Sequence, residues 1–384
     1  MHPNQNLLFD DGLAPDGAAA PDAPGRKPGR SKAARTDVGP AAPSDALQAL
    51  AERLPGGLHL GTSSWNFPGW RGLVWDADYP EARLSREGLA AYARHPLLRT
   101  VSLDRAFYRP LTASQYAAYA AQVPDEFRFV IKAPSLVADA VVRGEGGAGL
   151  QPNPTFLSAE LAEQTFLTPV TEGLGAKAGA LVFQLSPLPA PMIKRLPEVL
   201  ERLHAMLRAL APATAALKAV APDSTLSVEV RNAEWLTPDF AALLRDTDAT
   251  YCLGLHAKLP PIEAQLPVLR ALWPGPLVCR WNLHSKHGAF GYSEAKGLYE
   301  PFDQLVDPDP DTRDVLARVI VATAAAGYRA FVTINNKAEG SAPRSVEALA
   351  LAVMARLMPE GPDGPEGADG PDAPDGPARP EAAA

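Results

Sequence analysis

The sequence contains few cysteines, no long apolar run and no recognisable secretory leader. Its two cysteines, Cys252 and Cys279, each lie in a short apolar segment, which favours buried reduced thiols over a disulfide framework. No apolar run approaches the roughly 20 residues of a membrane span. The N-terminal residues lack the cationic start and apolar stretch of a signal peptide. We therefore expect a cytoplasmic protein with no membrane partner.

Proline is abundant, and it is concentrated at the two ends of the chain. Of 40 prolines in 384 residues, seven fall in residues 1–45 and seven in residues 359–384, and each of these ends also holds five glycines. Neither end has periodic apolar residues, so neither can bury enough surface to offset the entropy of ordering. The sequence predicts disordered tails over residues 1–45 and 359–384 and one domain over residues 46–358.

The acidic charge belongs mainly to the C-terminal tail. The formal net charge is −8, and residues 359–384 hold seven acidic residues and one arginine. The predicted domain is therefore close to neutral, so that a nucleic-acid partner is possible but is not indicated by net charge. A local basic site remains compatible with this composition.

Short apolar runs alternate with helix-like segments along the predicted domain. Eight runs have strand character: 58–64, 100–104, 127–132, 180–185, 226–231, 250–254, 277–282 and 330–335. The predicted helices span 85–94, 112–122, 158–166, 191–210, 237 onward, 262–272, 311–326 and 342–357, with a long loop from 283 to about 310. Eight such units predict an α/β fold, a single (β/α)₈ TIM barrel. The alternative is a doubly wound open sheet.

Polar side chains stand at or just after the ends of these runs. In a parallel barrel the carboxyl ends of all strands lie at one face, which is where such barrels carry their sites. We therefore expect the polar residues to line one pocket. Asp104 and Glu229 are the candidate catalytic residues. The candidate ligand-binding residues are Ser63, Trp65, Arg105, Tyr108, Lys132, Gln184, Arg231, His256, Arg280, Asn282, Asn335 and Asn336.

The chemistry of these residues leaves two readings open. Asp104 and Glu229 are each followed closely by a cation, Arg105 and Arg231, so they can serve in acid–base catalysis or form structural ion pairs. Four cationic side chains can converge as an anion pocket or pair with internal acids: Lys132, Arg231, Arg280 and Lys337. No spacing of histidine, cysteine and carboxylate predicts a metal site.

Several motifs resemble the DUF72 (YecE-like) family of TIM-barrel proteins, whose function is unsettled. The matching segments are 61–72, 100–110, 127–132, 181–187, 228–235 and 335–342. The resemblance extends from about Leu58 to Leu357 and covers neither tail. Many members have glutamate where this chain has Ser102, so that a carboxylate role at this position either passes to Asp104 or is absent. The resemblance implies a TIM barrel.

The sequence thus predicts a barrel that binds a small polar or anionic ligand, such as a sugar phosphate or a nucleotide-like group, at its carboxyl-terminal face. Acid–base catalysis would make it a hydrolase, lyase or isomerase. The alternatives are a non-catalytic module that binds a metabolite or nucleic acid, and a metal-dependent nuclease resembling endonuclease IV. The sequence identifies no cofactor and defines no oligomeric state.

Overall fold

The predicted TIM barrel is confirmed. The computed structural model describes residues 37–143, 150–288 and 291–358. Eight parallel strands close into a barrel in the order β1-β10-β9-β8-β7-β6-β3-β2. The barrel strands are β1 Leu58–Thr62, β2 Thr100–Leu103, β3 Arg128–Lys132, β6 Ala178–Gln184, β7 Thr225–Glu229, β8 Thr250–Leu255, β9 Leu277–Trp281 and β10 Ala330–Ile334. Strands β4 Val141–Arg143 and β5 Leu150–Pro152 pair as a separate antiparallel ribbon.

Helices surround the barrel and connect its strands. They are α1 Asp45–Arg53, α2 Glu81–Glu87, α3 Leu89–Tyr92, α4 Arg105–Tyr108, α5 Ala113–Ala120, α6 Ser135–Ala138, α7 Ala159–Ala162, α8 Thr168–Leu174, α9 Ala190–Ile193, α10 Leu196–Ala209, α11 Ala211–Val220, α12 Pro238–Asp246, α13 Ile262–Ala271, α14 Tyr292–Tyr299, α15 Pro310–Ala325 and α16 Ala342–Leu357. Within the described residues, no helix is both long and apolar enough to cross a bilayer.

All eight predicted strands are present, whereas three predictions about helices and loops are wrong. Ser85 does not begin a helix, because Pro80 precedes α2 and Gly88 separates α2 from α3. The predicted helix 191–210 is divided between α9 and α10, because Arg195 leaves the helical conformation. The predicted loop after β9 contains α14. In contrast, Thr112 caps α5 with a reciprocal capping box with Gln115, as its position before the helix predicts.

The barrel domain begins before the predicted boundary at residue 46. The backbone N–H of Ala41 donates to Val74 O at 2.9 Å, and Gly39 N donates to the Tyr79 hydroxyl at 3.1 Å. Val38 is buried, and Ser44 caps α1. Residues 37–44 are therefore packed on the domain. The remainder of the predicted tails, residues 1–36 and 359–384, lies outside the described residues.

An apolar layer fills the middle of the barrel. Strand residues alternate between the barrel axis and the surrounding helices, so every second side chain points inward. The inward residues of this layer form their own buried cluster, separate from the main core: Val130, Ala180, Val182, Cys252, Val278 and Phe331. Two residues further along their strands stand Lys132, Gln184 and Arg280. The polar site thus lies directly above the apolar layer, at the carboxyl ends of the strands.

His59 is buried beside Phe331, its register partner on the neighbouring strand. The two rings stack with their centroids 5.1 Å apart. Burial first, and then the positive charges of Arg128 and Arg329, lower the pKa of His59 to about 4, although a backbone interaction of Arg99 opposes the shift. His59 is therefore neutral in the folded protein at neutral pH.

We expect His59→Phe to make the stability of the protein less sensitive to acid. The native pKa lies below the unfolded value near 6.5, so the unfolded chain takes up the proton first as the pH falls. His59 therefore costs stability between about pH 6.5 and pH 4, at up to about 1.4 kcal/mol per pH unit. Urea unfolding at several pH values across this range should show that the free energy of unfolding falls less steeply with decreasing pH in His59→Phe than in the wild type. An equal pH dependence in the two proteins would contradict a lowered pKa for His59.

Candidate functional site

Arg280 is the centre of a buried polar network at the carboxyl end of the barrel. Its Nη1 lies 2.7 Å from Glu229 Oε2 and 2.9 Å from Gln184 Oε1, and its Nη2 lies 2.7 Å from Asp104 Oδ2. The guanidinium is 1% exposed, so its charge depends on these partners. Burial would lower the pKa of Arg280, but Asp104 and Glu229 outweigh burial and raise it. Arg280 thus joins β9 to residues of β7, β6 and β2.

Glu229 is held as a carboxylate by two arginines. Its Oε1 lies 2.6 Å from Arg231 Nη2, and Asn282 Nδ2 donates to the same oxygen at 3.3 Å. Full burial would raise the pKa of Glu229, but Arg231 and Arg280 outweigh burial and hold the pKa below its ordinary value. Glu229 is suited to accept hydrogen bonds rather than to donate a proton.

Asp104 pairs with a cation that lies far from it in the sequence. Its two carboxylate oxygens accept from Arg280 Nη2 at 3.0 and 2.7 Å, and Ser102 Oγ donates to it at 2.6 Å. The expected partner, Arg105, instead points away, with Nη1 3.4 Å from the Tyr119 hydroxyl and Nη2 3.3 Å from Ser85 Oγ. Asp104 therefore pairs with Arg280 and not with its sequence neighbour Arg105, whereas Glu229 does contact its near neighbour Arg231.

Lys132 brings a further charge to the network from β3. It is 3% exposed, and its Nζ lies 3.7 Å from the centroid of the Phe107 ring. Its positive charge acts on both Glu229 and Asp139. Asp139 also interacts with Ser186, and burial raises the pKa of its carboxyl despite these favourable contacts. Asp139 is a residue that sequence reasoning missed, because it follows β3 in an irregular stretch without a strand-end signal.

A second group of side chains, around Tyr292, makes one flank of the carboxyl end of the barrel positively charged. The His256 ring lies 5.5 Å from the Tyr292 ring, and Lys337 Nζ lies 5.4 Å from the Tyr292 centroid. Burial, followed by Arg231 and Lys258, lowers the pKa of His256. Burial and then Arg231 also lower the pKa of Lys258. His256 is consequently neutral, and the cations beside it repel one another.

The remaining predicted residues occupy the rim of the same end, but several have structural partners. Asn335 Oδ1 accepts from Lys337 N at 3.0 Å, and Asn336 Oδ1 accepts from Trp70 Nε1 at 3.2 Å. Trp65 is buried and donates from Nε1 to Leu84 O at 3.1 Å. The surroundings of Ser63 and Tyr108 differ from these.

Ser63 is buried and its Oγ has no hydrogen-bond partner in the part of the chain that the structure describes, whereas Tyr108 is 48% exposed and contacts Phe107 edge-on. The side chains that the structure brings into direct contact are therefore Asp104, Gln184, Glu229, Arg231, Arg280 and Asn282. Trp65 and Arg105 point toward neighbouring helices instead. Lys258 and Tyr292, on the loop after β8 and on α14, were not recognised from the sequence because neither stands at a strand end.

The donor set does not favour a metal ion. In the described ranges no three histidine, cysteine or carboxylate side chains are grouped so that they could hold one. The two carboxylates at the centre of the network already face arginine, which competes with any cation for their oxygens. The arrangement instead presents ionised carboxylates, amides and several cations to one end of the barrel.

The chain is similar to several proteins of known structure and to one protein family. Two DUF72 family proteins of known structure are similar, from Enterococcus faecalis V583 (16% identity, 81% of this chain and 100% of that one, TM-score 0.46) and from Thermotoga maritima MSB8 (16%, 78% and 98%, TM-score 0.44). Endo-glycoceramidase II from Rhodococcus sp. also aligns (13%, 76% and 78%, TM-score 0.37). The chain has no match among the curated proteins. The family model described as "Protein of unknown function DUF72" matches residues 59–367, and the chain therefore belongs to the DUF72 family.

Proposed function

We propose that the carboxyl end of the barrel binds a small anionic ligand. The supporting observation is the balance of charge among the side chains described there. The cations are Lys132, Arg231, Lys258, Arg280 and Lys337, and the carboxylates are Asp104, Asp139 and Glu229. Cations outnumber carboxylates in a place with little solvent, so an anion that enters would relieve their mutual repulsion.

The flank of the network carries two further cations, Lys258 and Lys337, beside Arg231. The carboxylates of Asp104 and Glu229 directly engage Arg280 and Arg231. The lowered pKa of Lys258, caused by burial and then by Arg231, indicates that this flank favours loss of positive charge. We assign the anionic group of the ligand, a phosphate or a carboxylate, to the neighbourhood of Lys258, Lys337 and Arg231.

The central network then serves to orient the neutral part of the ligand. Gln184 and Asn282 supply amide groups that can pair with hydroxyl groups, and the buried, ionised Glu229 holds Arg231, Arg280 and Asn282 in place around them. Such an arrangement suits a sugar phosphate better than an apolar acid, because hydroxyl groups would find acceptors that apolar groups leave unpaired. Tyr292 offers an aromatic face beside the same flank.

A thermal-shift screen tests this assignment. Sugar phosphates and nucleotides should raise the melting temperature, whereas the matched uncharged sugars and nucleosides should not, because only ligands that bind the native state stabilise it. Lys258→Gln should weaken binding of the best anionic hit about tenfold, which corresponds to about 1.4 kcal/mol. The stability of the empty protein should stay the same or rise slightly, since a repelled cation is removed.

Arg356→Gln is the matched control. This variant also removes one positive charge, but from an exposed pair with Asp314 on the outer helices. Its affinity for the same compound should equal that of the wild type. A screen in which charged and uncharged partners shift the melting temperature equally would contradict the proposal, as would equal weakening by Lys258→Gln and Arg356→Gln.

A further inference from the structure

A cavity of about 730 Å³ opens at the opposite end of the barrel from the site described above. It is lined by segments that come immediately before five barrel strands: 55–57 before β1, 222–225 at the start of β7, 248–250 at β8, 272–276 before β9 and 327–329 before β10. The amino-terminal end of such a barrel usually serves stability alone. The size and charge of this cavity therefore need a separate explanation.

The charged side chains around this cavity do not balance. Arg329 Nε and Arg128 Nη2 share the single carboxylate of Asp223, at 2.9 and 3.5 Å. Lys218 pairs with Asp248, and Arg245 donates to the backbone oxygen of Ala271, which is a neutral acceptor. Among the charged side chains that line the cavity, the three cations Lys218, Arg245 and Arg329 exceed the two carboxylates, Asp223 and Asp248, by one charge. Arg128 lies beyond the lining and adds a further cation beside Asp223. The cavity therefore favours an anionic ligand.

Two further observations come from the buried groups at this end. Ser224 lines the cavity and is 4% exposed, and its buried Oγ has no hydrogen-bond partner among the described residues. A buried hydroxyl without a partner is costly, so this end of the barrel carries an unsatisfied polar group beside the cavity. Arg128 and Arg329 also act on the nearby His59, lowering the pKa of that ring after burial has done so. The positive potential of these two arginines thus extends to a buried group outside the cavity lining.

We propose that this amino-terminal cavity is a second ligand site, which binds a small molecule carrying a phosphate group through Arg245, Arg329 and Lys218. Guanidinium groups present paired N–H donors to phosphate oxygens, and a lysine adds a point charge. Tyr328 lines the same cavity and is 38% exposed, so its ring is available for the non-phosphate part of the ligand. The volume leaves room for that part beside the phosphate.

Isothermal titration with inorganic pyrophosphate at low salt tests the proposal. Arg245→Gln removes a cation that has an exposed side chain and a backbone partner, so it should leave the fold intact and weaken binding about tenfold or more. Gly56→Trp tests the cavity by shape instead of charge. A side chain at Gly56 begins in open space, with no described atom within 4 Å of its Cβ, and should block the cavity and abolish binding at this site while leaving any binding at the carboxyl end unchanged.

Two controls separate this site from other cations. Arg344→Gln removes one positive charge from an exposed pair with Glu347, and Lys258→Gln removes one from the carboxyl end of the barrel. Both should keep at least one pyrophosphate site that Arg245→Gln and Gly56→Trp lack. The proposal is overturned if the wild type binds no pyrophosphate, if Arg344→Gln weakens binding as much as Arg245→Gln, or if Lys258→Gln alone abolishes all binding.

Discussion

Arg280→Met should lower the free energy of unfolding by about 3–5 kcal/mol, the usual cost of removing one partner from a buried ion pair. The substitution keeps a long side chain but leaves Asp104, which is 5% exposed, without the cation that both of its oxygens contact. Glu229 loses one of its two arginines and keeps Arg231. Urea unfolding at pH 7, followed by circular dichroism, measures the change.

The partner substitution Asp104→Asn shows whether the loss comes from the stranded carboxylate. Added to Arg280→Met, it should cost much less than the sum of the two single changes, because residues in direct contact are not additive. Arg356→Met breaks the exposed pair with Asp314 and should cost less than about 1 kcal/mol. If Arg280→Met lowers the free energy of unfolding by no more than Arg356→Met does, the buried network contributes no more to stability than a surface ion pair.

Gly61→Ala should have the other large effect, because it prevents β1 and β2 from lying next to each other. A Cβ placed on Gly61 would lie 1.8 Å from the backbone oxygen of Thr100, which is paired with it in the neighbouring strand. Backbone cannot move aside as a flexible side chain can, so the barrel must open or shift its register here. We expect a loss of more than about 4 kcal/mol, which is a large part of the stability of an ordinary domain.

Gly56→Ala is the matched control for this change. It adds the same methyl group in the turn just before β1, where nothing lies within 4 Å of the new atom. Its unfolding free energy should stay within about 0.5 kcal/mol of the wild type, as for most surface substitutions. If Gly61→Ala unfolds at the same urea concentration as Gly56→Ala, the close approach of β1 and β2 does not limit stability.

The barrel was predictable because each of its strands carries its own signal. Runs such as 127–132 and 330–335 combine apolar and β-branched residues over strand length and end in polar side chains. The fixed direction of parallel strands then places Lys132 and Asn335 at the same end without any knowledge of their contacts. Helix beginnings with a capping side chain, such as Thr112, were equally accessible.

The pairing of charges at the carboxyl end was not predictable from neighbours in the sequence. Asp104 follows β2 and points toward the barrel axis, whereas the next residue, Arg105, begins α4 and points toward Tyr119. The true partner, Arg280, is 176 residues away and reaches Asp104 across the end of the barrel. The roles of the candidate site residues stay predictions, for which the binding and stability measurements above are the tests.

The apolar layer formed by Val130, Val182, Phe331 and their neighbours closes the interior of the barrel between its two ends. A ligand bound on the carboxyl-terminal side of this layer therefore enters and leaves through the loops that follow the strands. The rates of ligand binding and release at the carboxyl end should respond to substitutions in those loops and not to substitutions in the turns that precede the strands. Residues at the two ends can also be substituted independently, because the apolar layer separates the two ends.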